Sequence, residues 1–482
     1  MAKNETGNSI VGGIGWKFSE RIISQGISFL ISLVLARLLS PDDYGLIALV
    51  LVFINLASVF ITSGFATALI QKKDADETDF STMFFCSLAC SAVIYLVIFL
   101  IASPVALFYG NEALTPVLRV YALQIPLSVY NSIQNAYISR KMIFKKSFFG
   151  TLISAVVSGA VGVAMAISGF GVWSLVFQSL TLTIVSTLVL LVIVPWRPSF
   201  KFSKTSAKGM MAYGSRLLLA DFSGTFFGEV RSLLIGRVYT SADLAFYTKG
   251  QQLPNLITGN LNTAVMTVLF PAFSNESESL DKVKELTRRS IRLMSYIVFP
   301  VLFGLAAVMP PLINLLYTAK WSECVPYARL LCIGLALGVV GAIPLQTLKG
   351  IGRSDTVLKL EFIKKPIYVI LLVIGVYFSV FAIAVTMVIY EIYGLIVNML
   401  QIKKHIGYRL REQLADIGPA FVLAASMALA AAVVPAVGGT VITLGIKCLL
   451  GVVVYVGASL IFKINSFYEI KDIAKRLLLR KR

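Results

Sequence analysis

The chain has 482 residues, 57% of them hydrophobic and 14% charged, with a mean hydropathy of +0.83. Soluble domains run nearer half apolar and a quarter charged, so a water-soluble globule of this length is excluded and a multi-span membrane protein is expected. The formal net charge of +19 is spread over many short connections, which argues for membrane topology and against a nucleic-acid-binding module.

About fourteen apolar windows are long enough, at roughly 20 residues each, to cross a bilayer core of about 30 Å. In chain order they are 15–38, 44–67, 80–103, 114–137, 148–168, 171–195, 210–234, 245–270, 291–316, 326–348, 360–379, 381–402, 415–436 and 440–462. The fourth, seventh and eighth are the most polar, as helices lining an aqueous path should be. The first window carries Arg21 and lacks a small-residue cleavage site, so it reads as a retained span and not a signal peptide.

Most of the 43 Lys and Arg residues fall in the termini and in alternate connections, among them Arg140, Lys141, Lys145 and Lys146, then Arg197, Lys201, Lys204 and Lys208. The other connections, such as Ser40-Pro41-Asp42-Asp43 and Gly438-Gly439, are short and almost free of basic residues. This asymmetry places both termini in the cytoplasm. In the tail, Ile470, Ile473 and Leu477 recur at helical spacing among Lys471, Lys475, Arg476 and Arg480, the pattern of an interfacial helix on anionic lipid. Leu280, Val283 and Leu286 suggest a second such helix within 276–292.

A weak duplication links the first and seventh windows. An aromatic residue, an Arg, an apolar run, Arg37, Ser40 and Asp43 recur as Tyr213, Arg216, an apolar run, Arg237, Thr240 and Asp243, roughly 195 to 200 residues on. Six spans per half is an even number, so the halves enter from the same side and are related by an axis along the membrane normal. The expectation is an all-α polytopic membrane protein with two six-helix bundles, residues 1–200 and 201–402, related by a pseudo-two-fold. Two additional transmembrane helices in 403–462 and a basic amphipathic tail, 463–482, complete it.

Charges inside spans are costly and mark polar paths. Arg21, Gln25, Ser28 and Ser32 are spaced 4, 3 and 4 apart, on one helical face, and Gln124, Ser128, Asn131 and Asn135 repeat that spacing in the fourth span. The seventh carries Arg216, Asp221, Glu229 and Arg231, and the eighth Lys249, Gln251 and Gln252. Guanidinium groups suit phosphate, and amides and hydroxyls suit sugar hydroxyls. The candidate substrate-binding residues are therefore Arg21, Gln25, Gln124, Asn131, Asn135, Arg216, Arg231 and Lys249. Asp221 and Glu229 serve either ion coupling or pairing with Arg216 and Arg231. Hydroxyls alone carry little, since Ser and Thr often glue helices together. Arg37, Arg119 and Arg237 sit near span ends and read as snorkelling.

Ser40 to Asp43 fits a helix cap with Pro at the first helical position. The five cysteines (Cys86, Cys90, Cys324, Cys332 and Cys448) have no CxxC spacing and no neighbouring His, so neither disulfide, metal nor other cofactor is expected. His405, the single histidine, sits in a basic loop and reads as solvated surface.

The run Ala36-Arg37-Leu38-Leu39-Ser40-Pro41-Asp42-Asp43-Tyr44-Gly45, with Gly64-Phe65, Ala68-Leu69-Ile70-Gln71, Gly171-Val172-Trp173-Ser174-Leu175, Tyr247 to Pro271 and Gly350-Ile351-Gly352-Arg353-Ser354-Asp355, resembles bacterial polysaccharide exporters of the Wzx type. The likeness reaches to about residue 410. It lies within the multidrug/oligosaccharidyl-lipid/polysaccharide exporter superfamily and is most similar to colanic-acid and lipopolysaccharide exporters. The resemblance implies two six-helix bundles around a central cationic cavity. It also implies transport of undecaprenyl-diphosphate-linked oligosaccharide to the outer leaflet of the inner membrane by alternating access, alongside membrane lipid and polysaccharide polymerase machinery. A drug/cation antiporter of the same superfamily stays open as an alternative. A membrane polymerase or ligase is disfavoured because no outer connection exceeds about a dozen residues and no acid/base pair is poised for chemistry.

Overall fold

A computed structural model describes the backbone of residues 2–72, 74–276 and 278–479. Within these, the side chains of 2–18, 63–65, 145, 146, 212, 213, 216, 264–268, 473, 474 and 477–479 lie outside the description. All regular secondary structure among the described residues is helical, with no strand. In chain order the helices are α1 (Ala2–Leu38), α2 (Pro41–Val59), α3 (Thr67–Gln71), α4 (Glu77–Tyr109), α5 (Leu114–Tyr121), α6 (Gln124–Lys141), α7 (Phe144–Ile167), α8 (Trp173–Ile193) and α9 (Lys204–Val238). There follow α10 (Ser241–Asn275), α11 (Leu280–Tyr317), α12 (Cys324–Gly350), α13 (Ser354–Phe378), α14 (Val380–Ile406), α15 (Leu410–Val433), α16 (Thr440–Ile461) and α17 (Asn465–Leu479).

Among the described residues, ten helices are long and apolar enough, by length and composition, to cross a membrane. They are α1, the continuous run Pro41–Gln71, α4, α7, α8, α11, α12, α14, α15 and α16. Four further stretches interleave with them in order and are more polar: α5 with α6, α9, α10 and α13. The first three coincide with the windows singled out as polar. The fourth, α13, carries Lys359, Glu361, Lys364 and Lys365 in its first half.

Local chemistry explains the breaks. Ser40 caps α2, its Oγ accepting from Asp43 N at 3.2 Å while Asp43 Oδ2 accepts from Ser40 N at 3.0 Å. Thr240 and Asp243 repeat the reciprocal pair at the start of α10, at 3.1 Å in each direction. Each such cap stabilises its helix end by about 1 kcal/mol. The 114–137 window splits at Ala122 and Leu123 because Pro126 belongs in the first turn of a helix, where its missing N–H costs nothing. Between α2 and α3, residues Phe60–Ala66 form a π-helical turn, with Thr62 Oγ1 bonded back to Ser58 O at 3.0 Å. The stretch 276–292 is no separate surface helix: from Leu280 it runs unbroken into α11, with Val283 fully buried and Leu280 exposed.

The chain divides into two compact units, residues 1–245 and 246–482. In the first, α7 packs along α8 and α1, α6 joins α8 to α4, and α9 packs on α2, α4 and the π-turn. Gly45 allows the closest approach: a Cβ there would lie 1.8 Å from the Ser241 carbonyl oxygen. The connection 194–203 is pinned to this unit, since Val194 and Trp196 are buried, Gln134 Nε2 donates to Trp196 O at 3.1 Å and Ser203 N donates to Thr82 Oγ1 at 3.0 Å.

In the second unit α11 packs on α12, α15 and α16, and α14 on α12 and α13. Arg288 grips Asp416 through two hydrogen bonds of 2.6 and 3.2 Å, joining α11 to α15. Tyr408 also donates to Asp416, at 2.6 Å; burial and that bond push its phenol above the usual range. The tail is helical as α17, and its Glu469 pairs with Arg289 of α11. The side chains of Ile473 and Leu477 lie outside the description, so that half of the apolar stripe is not described.

Candidate functional site

On α1, Arg21 and Gln25 are half-buried one turn apart. Sequence reading passed over their neighbour, Glu20, which is 8% exposed and accepts hydrogen bonds from Ser147 Oγ and Thr151 Oγ1 of α7, each at 3.0 Å. The signal was present, as an acid adjacent to Arg21. Glu20 fixes α1 against α7, and with its side chain turned there Arg21 points along another face of the same helix.

The amide stripe of α6 is directed largely at α8. Gln124 Oε1 accepts from Ser179 Oγ at 2.9 Å, and Ser179 accepts from Tyr121 OH at 2.8 Å. Asn131 Nδ2 donates to Thr183 O at 3.2 Å and its Oδ1 accepts from Thr187 Oγ1 at 3.1 Å. Gln124 and Asn131 thus form a ladder between two helices, while Asn135 is exposed.

On α9, Asp221 is exposed, and Glu229 and Arg231 are half-buried. Glu229 Oε1 accepts from Asn55 Nδ2 of α2 at 2.9 Å, a polar bond that ties the more polar α9 to the apolar run Pro41–Gln71. The side chain of Arg216 lies outside the described residues. Arg119 and Arg237 lie over the rings of Phe99 and Phe108, 4.2 and 4.8 Å from the centroids, so their charge sits on aromatic faces.

In the second unit Lys249 of α10 is 6% exposed. Its Nζ donates to Gln252 Oε1 at 3.1 Å and lies 5.4 and 5.6 Å from the ring centroids of Tyr317 and Trp321. Gly250 makes room for the approach of α12, since a Cβ there would meet Cys324 O and Ala328 N at 3.1 Å. An aromatic cage around the ammonium compensates for part of its lost hydration.

A second group, which sequence reading missed, surrounds a cleft of about 200 Å³ between α12, α13 and α14. Lys364 is 7% exposed and pairs with Glu361 at 2.8 Å. Glu391 faces α12 at Gly338, where a Cβ would lie 2.8 Å from its Oε2. Asn398 donates to Gly341 O at 2.9 Å and is 4% exposed, and its Oδ1 has no partner. Tyr390 lines the cleft and packs edge-on against Tyr368, with centroids 5.2 Å apart. Glu361, Glu391 and Lys364 gather three ionisable groups around the cleft, beside the open amide oxygen of Asn398. Within each helix its residues keep helical spacing, Gly338 and Gly341 on α12, Glu361 and Lys364 on α13, and Glu391, Gly394 and Asn398 on α14, so polar stripes inside apolar stretches were the signal available.

The five cysteines are free: Cys324 and Cys332 are buried, Cys86 and Cys90 half-buried and Cys448 exposed. His405 Nε2 and Thr356 Oγ1 are 3.4 Å apart.

Residues 34–326 match the family model described as polysaccharide biosynthesis protein. Among characterised relatives, the chain is 23% identical over 354 residues to the succinoglycan biosynthesis transport protein ExoT of Rhizobium meliloti, covering 73% of this chain and 72% of the relative. It is 22% identical to the lipopolysaccharide biosynthesis protein WzxC of Escherichia coli, covering 76% and 75%. Of solved structures, the lipid II flippase MurJ superposes with a TM-score of 0.74 at 14% identity, covering 93% of this chain and 99% of that one. A multidrug resistance MATE family transporter of the MOP superfamily superposes with a TM-score of 0.61 at 16% identity, covering 79% and 94%.

Proposed function

Because this chain belongs to the polysaccharide biosynthesis protein family, we propose that it is a flippase that carries undecaprenyl-diphosphate-linked oligosaccharide from the cytoplasmic to the outer leaflet of the inner membrane, for export of a surface polysaccharide. The observation that carries this reading is the interleaving of four polar helical stretches with ten apolar ones in a fold like that of MurJ and the MATE transporters. Helices that long and that polar need a wet or protein-lined surface within the bilayer. An oligosaccharide carries many hydroxyls, each costing a few kcal/mol when stripped of water without a partner, so unassisted crossing is forbidden.

In this reading the chain has fourteen spans. Halves of residues 1–200 and 201–402 surround a central cationic cavity and rock to expose it alternately, and 403–462 add two helices. Arg21, Arg216 and Arg231 meet the diphosphate, with Gln25, Asn135 and Lys249 toward the glycan; Gln124 and Asn131 support the path through α8. Both termini are cytoplasmic, and polysaccharide polymerase machinery takes the product. Outward movement of each negative charge gains about 2.3 kcal/mol per 100 mV from an inside-negative potential. The test is flipping of labelled lipid-linked oligosaccharide in proteoliposomes, at zero and at inside-negative potential. No flipping rejects the function, and equal rates reject the electrical assistance. Deletion in a polymer-producing host, with analysis of the accumulated lipid-linked intermediate, would identify the glycan.

The two carboxylates and the buried ammonium of the α12–α14 cleft support a second reading, a drug/cation antiporter. The two part on one ranking. In an antiporter, Asp221→Asn or Glu391→Gln abolishes transport while Arg21→Ala is mild. In the lipid-linked-anion flippase, Arg21→Ala is the more damaging.

A further inference from the structure

We propose that the end of α16 remote from the basic tail is a binding site for the phosphate of a lipid headgroup, with Lys447 as its counter-ion. This does not rest on the flippase reading. Thr440, Thr443 and Lys447 are spaced 3 and 4 apart and share one face of α16, and all three line a cleft of about 380 Å³ with Asn314, Pro310 and Pro311 of α11.

Lys447 is the anomaly. It is 8% exposed, and its Nζ makes one long hydrogen bond, 3.4 Å, to Ala432 O near the end of α15. Among the described residues no carboxylate lies within ion-pair distance of it. The sequence explains why: α16 and the connection 434–439 contain no Asp or Glu, and the carboxylates of α15, Glu412 and Asp416, sit at its other end. Asp416, the nearer along the chain, is about 24 Å from Ala432 by helix rise and is already held by Arg288 and Tyr408. A desolvated ammonium with a single weak acceptor calls for an external anion.

The rest of the cleft is suited to that anion. The first N–H groups of α16 lack intrahelical acceptors, and Gly439 at the N-cap offers no side chain to satisfy them, so the helix end adds donors and positive potential. Thr443 Oγ1 is engaged with both Val437 N and Val437 O at 3.1 Å, which fixes the lip of the cleft and leaves Thr440 and the exposed Asn314 at the mouth. The Lys447 backbone lies seven residues, about 10 Å, inside the start of α16, but its Nζ reaches Ala432 O, one residue from the end of α15, so the ammonium is carried toward the headgroup end of the span. Pro310, Pro311 and Ala436 supply an apolar wall for the glycerol or prenyl portion.

The experiment is native mass spectrometry of the delipidated full-length chain with phosphatidylglycerol, undecaprenyl phosphate, diacylglycerol or inorganic phosphate. The expected result is a retained phosphorylated lipid, occupancy at least tenfold lower in Lys447→Met and Lys447→Gln, recovery in Lys447→Arg, and no retention of diacylglycerol. Competition between the two phosphorylated lipids identifies which source the site prefers. Equal retention by wild type and Lys447→Gln overturns the proposal, even where the melting temperature falls, because Lys447 then serves only the end of α15. Binding of inorganic phosphate with no lipid retained overturns it as well. If neither neutral variant folds, the unaltered chain decides: phosphatidylglycerol must raise Tm where diacylglycerol does not.

Discussion

The α6–α8 ladder and the α12–α14 cleft both carry side-chain amides within helices of the bundle, yet the structure uses them differently. In the ladder, Gln124 and Asn131 each meet hydroxyl or carbonyl groups of α8, so the polar atoms are consumed in holding two helices together. In the cleft, glycines at 338, 341 and 394 hold the backbones near polar side chains without filling the space, and the Asn398 oxygen is left without a partner. Polarity within a membrane helix marks a site only where the neighbouring helix leaves room. Where it supplies a complementary group, the same polarity is adhesive.

The sharpest way to break this contrast is to neutralise the cleft. Glu391→Gln and Lys364→Met should each lower flipping in proteoliposomes about tenfold, less than Arg21→Ala does, while shifting the melting temperature little. Equal loss of folded protein and of transport would make the cleft structural. Gly338→Val should have a smaller but still clear effect, several-fold on transport, because its side chain would displace the Glu391 carboxylate. Asn131→Leu tests the other side. It should destabilise the chain by about 1 kcal/mol in thermal unfolding and leave the transport rate of the folded fraction unchanged, since Thr187 keeps its bond to Thr183 O at 2.8 Å. A transport defect in the folded fraction would move the ladder into the substrate path. The smallest effect is expected for Glu229→Gln, whose amide oxygen still accepts from Asn55. Stability should be unchanged, and a loss of dependence on pH or sodium in the transport assay would assign Glu229 to ion coupling and not to fixing α2 on α9.

Much of the architecture was readable from the chain. Apolar windows, basic connections and the paired Ser40–Asp43 and Thr240–Asp243 turns are local features, and each reappears as a helix, a break or a reciprocal cap. The polar character of the fourth, seventh and eighth windows was likewise visible. The burial of Glu20 and the cage around Lys249 were not, because each depends on residues dozens to more than a hundred positions away; Lys364 pairs with Glu361 only three positions back, but its burial comes from α14 packing over it.

Composition and periodicity determined that this protein is a bundle of membrane-crossing helices, because lipid requires every backbone polar group to be satisfied within its own segment, whatever the neighbours are. Side chains have no such rule. Whether Asn131 bonds across to α8 or Asn398 keeps an open oxygen was decided only by the tertiary packing, since helix spacing states which face a residue occupies and not what that face meets.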